Sequence, residues 1–139
     1  MSLKKKIGLS TGFTLIEIML VVIIIGALAA MVLPRLTGRG EQARRAAAQT
    51  DIKSNIATGL KLYELDNGSF PTTSEGLKAL MSKPGSATNW NGPYIEANPI
   101  DPWNREYRYK APGVNRPHDY DLYSLGPDGK ESKDDVRNW

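Results

Sequence analysis

Residues 13–33 read FTLIEIMLVVIIIGALAAMVL, and this apolar stretch sets the first constraint on the fold. At about 1.5 Å per residue, a helix over this stretch just spans a hydrocarbon core of about 30 Å. One carboxylate, that of Glu17, interrupts it, and an acidic residue inside a membrane span is costly and is a candidate functional group. The stretch therefore predicts a membrane-length helix in which Glu17 requires an explanation.

Three interpretations of this amino-terminal region stay open on the residues alone. The sequence Ala27-Leu28-Ala29 resembles the small-residue cleavage site of an ordinary secretory signal peptide, which would place the mature start near Ala30. A plain membrane anchor, with Glu17 at the interface, fits the same stretch. The third interpretation is cleavage between Gly12 and Phe13, before the apolar stretch. Basic residues lie on both sides of the stretch, so they do not decide its orientation in a membrane.

Composition narrows the class of protein. The chain has 139 residues, which suits one domain with an appendage. Its formal net charge is +3, but three lysines stand at positions 4–6 and the rest of the chain is formally neutral. Binding to nucleic acid through bulk charge therefore loses its main support, and we predict no nucleic-acid partner. There is no cysteine, which excludes a disulfide framework and a thiolate metal site.

Helical periodicity continues beyond Pro34. We expect one helix from about residue 14 to residue 65, with a kink or local unwinding at Pro34 and an end at the Asp-Asn-Gly sequence of residues 66–68. The half of this helix over 34–65 is amphipathic, since apolar residues recur at spacings of three to five. These residues form the predicted stripe: Ala43, Ala47, Ile52, Ile56, Leu60 and Tyr63.

Residues 66–139 predict a small head of α+β class, in which an antiparallel sheet packs against the helix. We expect a short helix over 74–81, capped by Thr73 or Ser74, and strands over 106–110 and 120–124. The strand-like placement of the tyrosines and Trp103 indicates core packing. His118 is predicted to be a turn or surface residue. Trp90 and Trp139 are candidates for subunit contacts. No catalytic motif is present, so the chain is predicted not to be an enzyme.

The acidic tail, residues 125–136, raises the question of a metal site. Calcium takes six to eight oxygen ligands and tolerates irregular loops. The Asp128-Gly129 turn would let the chain return Asp134 or Asp135 to the same point, although the tail is not an EF-hand. From spacing alone, an Asp-Gly turn with solvated acids is the stronger interpretation.

The amino-terminal motifs resemble the class III signal of type IV pilins and pseudopilins. The lysine-rich leader, Gly12, the sequence FTLIE and the proline after the span carry this resemblance. It implies that a prepilin peptidase removes residues 1–12 and that the new terminus, Phe13, is N-methylated. It also implies that Glu17 pairs with the Phe13 amine of a neighbouring subunit.

The rest of the chain resembles the major pseudopilins of the bacterial type II secretion system. The strings PTTSEGLKALMSKP, NWNGPYI, DPWNREYRY, YDLYSLGPDG and a closing NW carry this resemblance over essentially the whole chain. It implies a type IV pilin-like fold with a calcium-binding loop, in which Asp128, Asp135 and the Leu125 main-chain carbonyl are ligands. The segment 130–134 departs from the glycine-rich loops of relatives, so Ser132 and Asp134 are further candidates only.

The resemblance also implies a function. Subunits with residues 13–33 in the inner membrane and residues 66–139 in the periplasm would polymerise into a pseudopilus that supports export of folded proteins. The implied partners are further copies, minor pseudopilins, the inner-membrane assembly platform and the prepilin peptidase. The alternative is a type IV pilin for adhesion, motility or DNA uptake, although such pilins usually carry a cysteine pair. A periplasmic enzyme or binding protein released after an ordinary signal peptide is a third class.

Overall fold

A computed structural model describes residues 12–139, with the side chains of residues 33–37 left out. The chain divides into two units, one ending at Arg39 and the other comprising Gly40–Trp139. Apart from Gly12, the predicted leader lies outside the described residues.

The first helix, α1, spans Leu15–Thr50. Thr14 begins it, since the Thr14 Oγ1 accepts the backbone N–H of Glu17 at 3.2 Å. Thr14-Leu15-Ile16-Glu17 thus follows the T-x-x-E pattern of a helix start, in which a hydroxyl satisfies a free amide of the first turn. Its stretch Leu15–Val32 is exposed throughout and is long and apolar enough to cross a membrane, by length and composition. The predicted apolar helix is confirmed.

The helix is not interrupted at residue 34, so the expected local unwinding there is wrong. Proline removes one helical hydrogen bond and its fixed φ is a helical value, which a long helix can accommodate. The irregular segment lies later, as the π-helix Asp51–Asn55. A second α-helix, α2, then spans Ile56–Asn67 and ends at Gly68, whose φ of 81° is left-handed. The predicted end was two residues too early.

The π-helix explains which residues face the core. The buried residues Ala48, Ile52, Ile56 and Leu60 follow one another at intervals of four. In a regular α-helix, with 3.6 residues per turn, each step of four drifts by about 40° around the axis. A π-helical turn takes up an extra residue and keeps the series on one face. Ala43 and Ala47 are exposed, so the predicted stripe is wrong before Ala48.

A short 3₁₀-helix, Gly76–Leu80, replaces the helix predicted over 74–81. Gly76 has a left-handed φ of 59°, which prevents an α-helix from starting at residue 74. The N-cap residue is Glu75, which makes no side-chain cap hydrogen bond, so the predicted caps Thr73 and Ser74 are wrong. Thr72 donates its N–H to the Glu75 carboxylate at 2.8 Å, and Glu75 donates its N–H to the Thr72 hydroxyl at 3.3 Å.

Three antiparallel strands form the sheet in the order β1-β2-β3. They are β1 Arg108–Lys110, β2 Asp121–Ser124 and β3 Val136–Arg137. The first two confirm the predicted strands with shorter bounds. The third, β3, begins in the acidic tail, where no strand was predicted. Leu122 and Val136 join the helices in one core, whose largest helical members are Ile52, Ile56, Leu60 and Tyr63. The predicted α+β class is confirmed.

Candidate functional site

The loop between β2 and β3, residues 125–135, contains the predicted metal ligands. The buried Ser124 fixes its start: the Ser124 hydroxyl donates to Asp101 at 2.6 Å and accepts the Gly126 N–H at 3.1 Å. Gly126 has a left-handed φ of 65°, and a Cβ there would lie 2.8 Å from the Asp134 carbonyl oxygen. The two ends of the loop therefore lie against each other, an approach that glycine permits.

Asp135 is the most buried carboxylate of the loop, with a side chain 1% exposed. The Arg137 guanidinium donates to its Oδ2 at 2.9 Å, and the Ser132 N–H donates to its Oδ1 at 3.2 Å. Arg137 also donates to the Ser132 carbonyl at 2.6 Å. A buried charge requires such partners, so Asp135 and Arg137 close the end of the loop as a hydrogen-bonded ion pair.

The side chains of Asp128 and Ser132 have local partners. The exposed Asp128 accepts the Lys130 N–H at 3.1 Å, as in an Asp-Gly turn. Ser132 Oγ accepts the Asp134 N–H at 3.1 Å. Among residues 12–139, no group of three or more His, Cys, Asp or Glu side chains is arranged to hold a metal ion. The calcium site therefore stays a prediction.

Arginine side chains hydrogen-bond to this loop, and one of them, Arg105, was not predicted from the sequence. The Arg105 guanidinium donates to the carbonyls of Gly126 and Pro127. It also packs beneath Gly129, where a Cβ would lie 2.7 Å from the Arg105 Cζ. Arg105 is about twenty residues away in sequence, and no local pattern connects it with the loop. The candidate donors of the loop are all oxygen atoms, which is the donor type that calcium takes.

Arg45 joins the loop to the long helix. It donates to the Asp134 carbonyl at 3.0 Å and lies 3.3 Å from the Glu41 carboxylate, whose other oxygen accepts the Trp103 indole N–H at 3.3 Å. Arg45, one of the basic residues that follow the apolar stretch, therefore contacts acidic residues of its own chain. Such partly exposed pairs each contribute about 0–1 kcal/mol.

The remaining predicted site residues lie at the start of the described chain. Gly12 and Phe13 precede α1 without regular structure, and the Phe13 side chain is 79% exposed. Glu17 lies in the first turn of α1 with an exposed side chain. At that position, a carboxylate is favoured by the free amides and by the helix dipole.

Comparisons with known proteins identify the family of this chain. The family described as "Type II secretion system (T2SS), protein G" matches residues 35–139. The chain belongs to this family. It is 48% identical over 137 residues to a type II secretion system core protein G of Pseudomonas aeruginosa, covering 93% of this chain and 94% of the relative. It is 44% identical to the core protein G of Klebsiella pneumoniae, covering 92% and 93% of the two chains.

A solved structure is also similar. The crystal structure of the major pseudopilin from the type II secretion system of enterohaemorrhagic Escherichia coli matches with a TM-score of 0.67 and 37% identity. The match covers 75% of this chain and 89% of the other. The predicted family, the pilin-like fold and the role as a pseudopilus subunit in type II secretion are confirmed. The family is a structural component of a secretion system, and the absence of enzymatic activity remains a prediction.

Proposed function

We propose that this protein G family member is cut between Gly12 and Phe13, is held in the inner membrane by residues 13–33, and polymerises through those residues into a periplasmic pseudopilus. The observation that carries the proposal is the exposed apolar stretch Leu15–Val32. An apolar surface of this size requires a cover. Lipid would cover it before assembly, and the same residues of neighbouring subunits would cover it in the fibre.

The type II secretion pathway supplies the proposed partners. Family membership supports minor pseudopilins, the inner-membrane assembly platform and the prepilin peptidase as proposed partners. In the fibre, the Phe13 amine of one subunit would pair with the Glu17 carboxylate of its neighbour. Contacts of this head-to-tail kind build open filaments when their rotation does not close.

The experiment for processing is mass spectrometry of the mature chain from cells that contain the secretion system. We expect a mature chain that starts at Phe13 and carries one additional methyl group at its amino terminus. The matched control is the same chain in cells without the prepilin peptidase, where residues 1–12 should remain. A mature start near Ala30 would contradict the proposal and support an ordinary signal peptide.

We also propose that the loop over residues 125–135 binds calcium. Asp128, Asp135 and the Leu125 carbonyl would be ligands, with Ser132 and Asp134 as further candidates. What supports this is the oxygen-only donor set and the buried Asp135 carboxylate. A calcium ion at this loop would take the place of the Arg137 guanidinium as the positively charged partner of the Asp135 carboxylate. Bound calcium would stabilise the fold because a ligand that binds only the folded state shifts the unfolding equilibrium.

The prediction for calcium is that a chelator lowers the melting temperature of the full chain in detergent. At calcium concentrations 100-fold above Kd, binding contributes about 2.7 kcal/mol. Asp128→Ala should remove the dependence on calcium. Glu131→Ala is the matched control, because Glu131 is another acidic residue of this loop but bonds Tyr123 instead, at 2.8 Å. Identical melting curves with and without chelator would exclude the calcium site.

A further inference from the structure

Two grooves flank the buried stripe of the helices on opposite sides. Arg45, Gln49 and Lys53 lie at intervals of four on one side and line a groove of about 420 Å³. Asp51, Asn55 and Thr58 lie on the other side and line a groove of about 640 Å³. Residues three or four apart share one face of a helix, so the buried stripe separates the two rows. The head therefore has two different edges, which we call the basic edge and the acidic groove.

The basic edge combines positive charge with an exposed aromatic ring. Besides Arg45 and Lys53, the side chains of Lys133, Arg137 and Trp139 line it. Within the described part of the chain, its one acidic lining residue is Asp135, which is buried against Arg137. Trp139 is 43% exposed, packs edge-on against Tyr123 at 5.5 Å and lies beneath the Arg137 guanidinium at 5.4 Å. These contacts fix the ring at the surface.

The acidic groove has the complementary character. Asp51 and Glu96 line it, and no Lys, Arg or His is among its lining residues within the described chain. The rest of the lining contains both polar and apolar residues, and the apolar ones include Ile95, Pro99 and Ile100. Ile100 is 45% exposed, although it is large and apolar. Asp51 is fixed by the Tyr107 hydroxyl at 2.8 Å, so its charge has a defined position.

We propose that Trp139 and the basic edge of one copy dock into the acidic groove of a second copy. The charges of the two surfaces are complementary, since the exposed lysines Lys53 and Lys133 line the basic edge, whereas Asp51 and Glu96 line the acidic groove. An aromatic residue in a partly apolar groove is the usual anchor of an interface. Because the two surfaces are different and lie on opposite sides of the helix, each copy retains a free edge after docking. The inference rests on the proposed polymerisation and specifies which surfaces of the heads of neighbouring subunits are in contact.

The test uses the natural absence of cysteine in this chain. Lys133→Cys places a thiol on the basic edge, and Ala97→Cys places one on the acidic groove, where both residues are exposed. The full-length double variant is expressed with the secretion system and treated with a short bis-maleimide cross-linker. We expect a ladder of cross-linked multimers, whereas co-expression of the two single variants should give pairs only. Each single variant alone should give none.

The matched control is Lys133→Cys combined with Leu65→Cys, because Leu65 is 79% exposed and lies in neither groove. This control should form fibres without a ladder. Glu96→Lys should reduce cross-linking in the double-cysteine background by about tenfold, and Lys53→Glu added to it should restore the ladder. Tryptophan fluorescence of each variant checks that the head is folded.

Fibres in electron micrographs separate the two levels of the proposal. Fibres without a ladder would overturn the docking contact and leave polymerisation intact. Processed chains that form no fibres would overturn the proposed polymerisation itself. A symmetric pair from one single variant would also overturn the inference, as would a cross-link that joins the Ala97→Cys thiol to a different protein in place of a second copy.

Discussion

Replacing Glu17 with valine should abolish fibre assembly while membrane insertion and cleavage after Gly12 continue. In the proposed mature chain, the new amine at Phe13 would stand four residues before Glu17, next to the first turn of α1. A carboxylate and an amine that enter an apolar fibre core require each other as partners. Without the carboxylate, the amine of a neighbour would be buried alone. The measurement is the amount of fibre sheared from cells relative to the mature chain in the membrane.

Two control variants separate this charge from the second role of Glu17 in the helix start. Glu17→Gln keeps a residue that suits the T-x-x-E pattern but removes the charge, and we expect it to fail as Glu17→Val does. Thr14→Ala removes the hydroxyl that accepts the Glu17 N–H, at a cost of about 1 kcal/mol to the helix, and leaves the charge. Thr14→Ala should still assemble. Assembly by Glu17→Gln at the normal level would show that the charge is not needed.

Replacing Asp121 with alanine should destabilise the head by about 3–5 kcal/mol. The Asp121 side chain is buried, and it accepts the backbone N–H groups of Val114, Asn115 and Arg116 at 2.7, 2.9 and 3.1 Å. The Asn115 side chain adds a fourth bond at 3.0 Å. Removing the carboxylate leaves these donors without an acceptor, and the loop over residues 113–116 loses its connection to β2. Urea unfolding of the full chain in detergent measures the change, because all three tryptophans lie in the head.

The pH dependence of the same contact provides an independent check. Burial alone would raise the pKa of Asp121, but the hydrogen bonds from Asn115, Val114 and Arg116 lower this pKa overall. A carboxylate with a lowered pKa in the folded state contributes stability above its unfolded pKa of about 3.9, and loses it as the pH falls through the folded pKa. Asp121→Asn cannot titrate, so the difference in unfolding free energy between the natural chain and this variant should shrink below about pH 4. A constant difference from pH 7 to pH 3 would contradict the assignment.

Local patterns predicted the elements that local forces define. The apolar stretch, the glycine that ends α2 and the first two strands all follow from the period of apolar residues and from turn residues. The local unwinding expected at Pro34 does not occur, because a long helix can accommodate the loss of one hydrogen bond. The prediction of a helix over residues 74–81 was wrong for a different reason. Its register depends on the left-handed Gly76, and sequence alone does not show which conformation a glycine adopts.

The loop over residues 125–135 shows more clearly which contacts local sequence patterns do not predict. The sequence indicates the acidic residues, but two of the arginines that hydrogen-bond to the main-chain carbonyls of this loop come from distant elements: Arg45 from the long helix and Arg105 from the turn before β1. The strand β3 is two residues long and has no pattern of its own, so only pairing with β2 defines it. These contacts join residues that local periodicity cannot connect.

The sequence by itself determined that this protein has a membrane-length apolar helix with one carboxylate near its start, because length, hydrophobicity and helix capping are local properties. It also determined the family, through motifs that cover essentially the whole chain. Only the tertiary structure decided that a π-helix keeps Ala48, Ile52 and Ile56 on one face, and which arginines hold the loop. The physical reason is that local sequence favours several helical registers and several ion pairs about equally. The packing of the core selects one of them, and this packing forms only when distant segments of the chain come together.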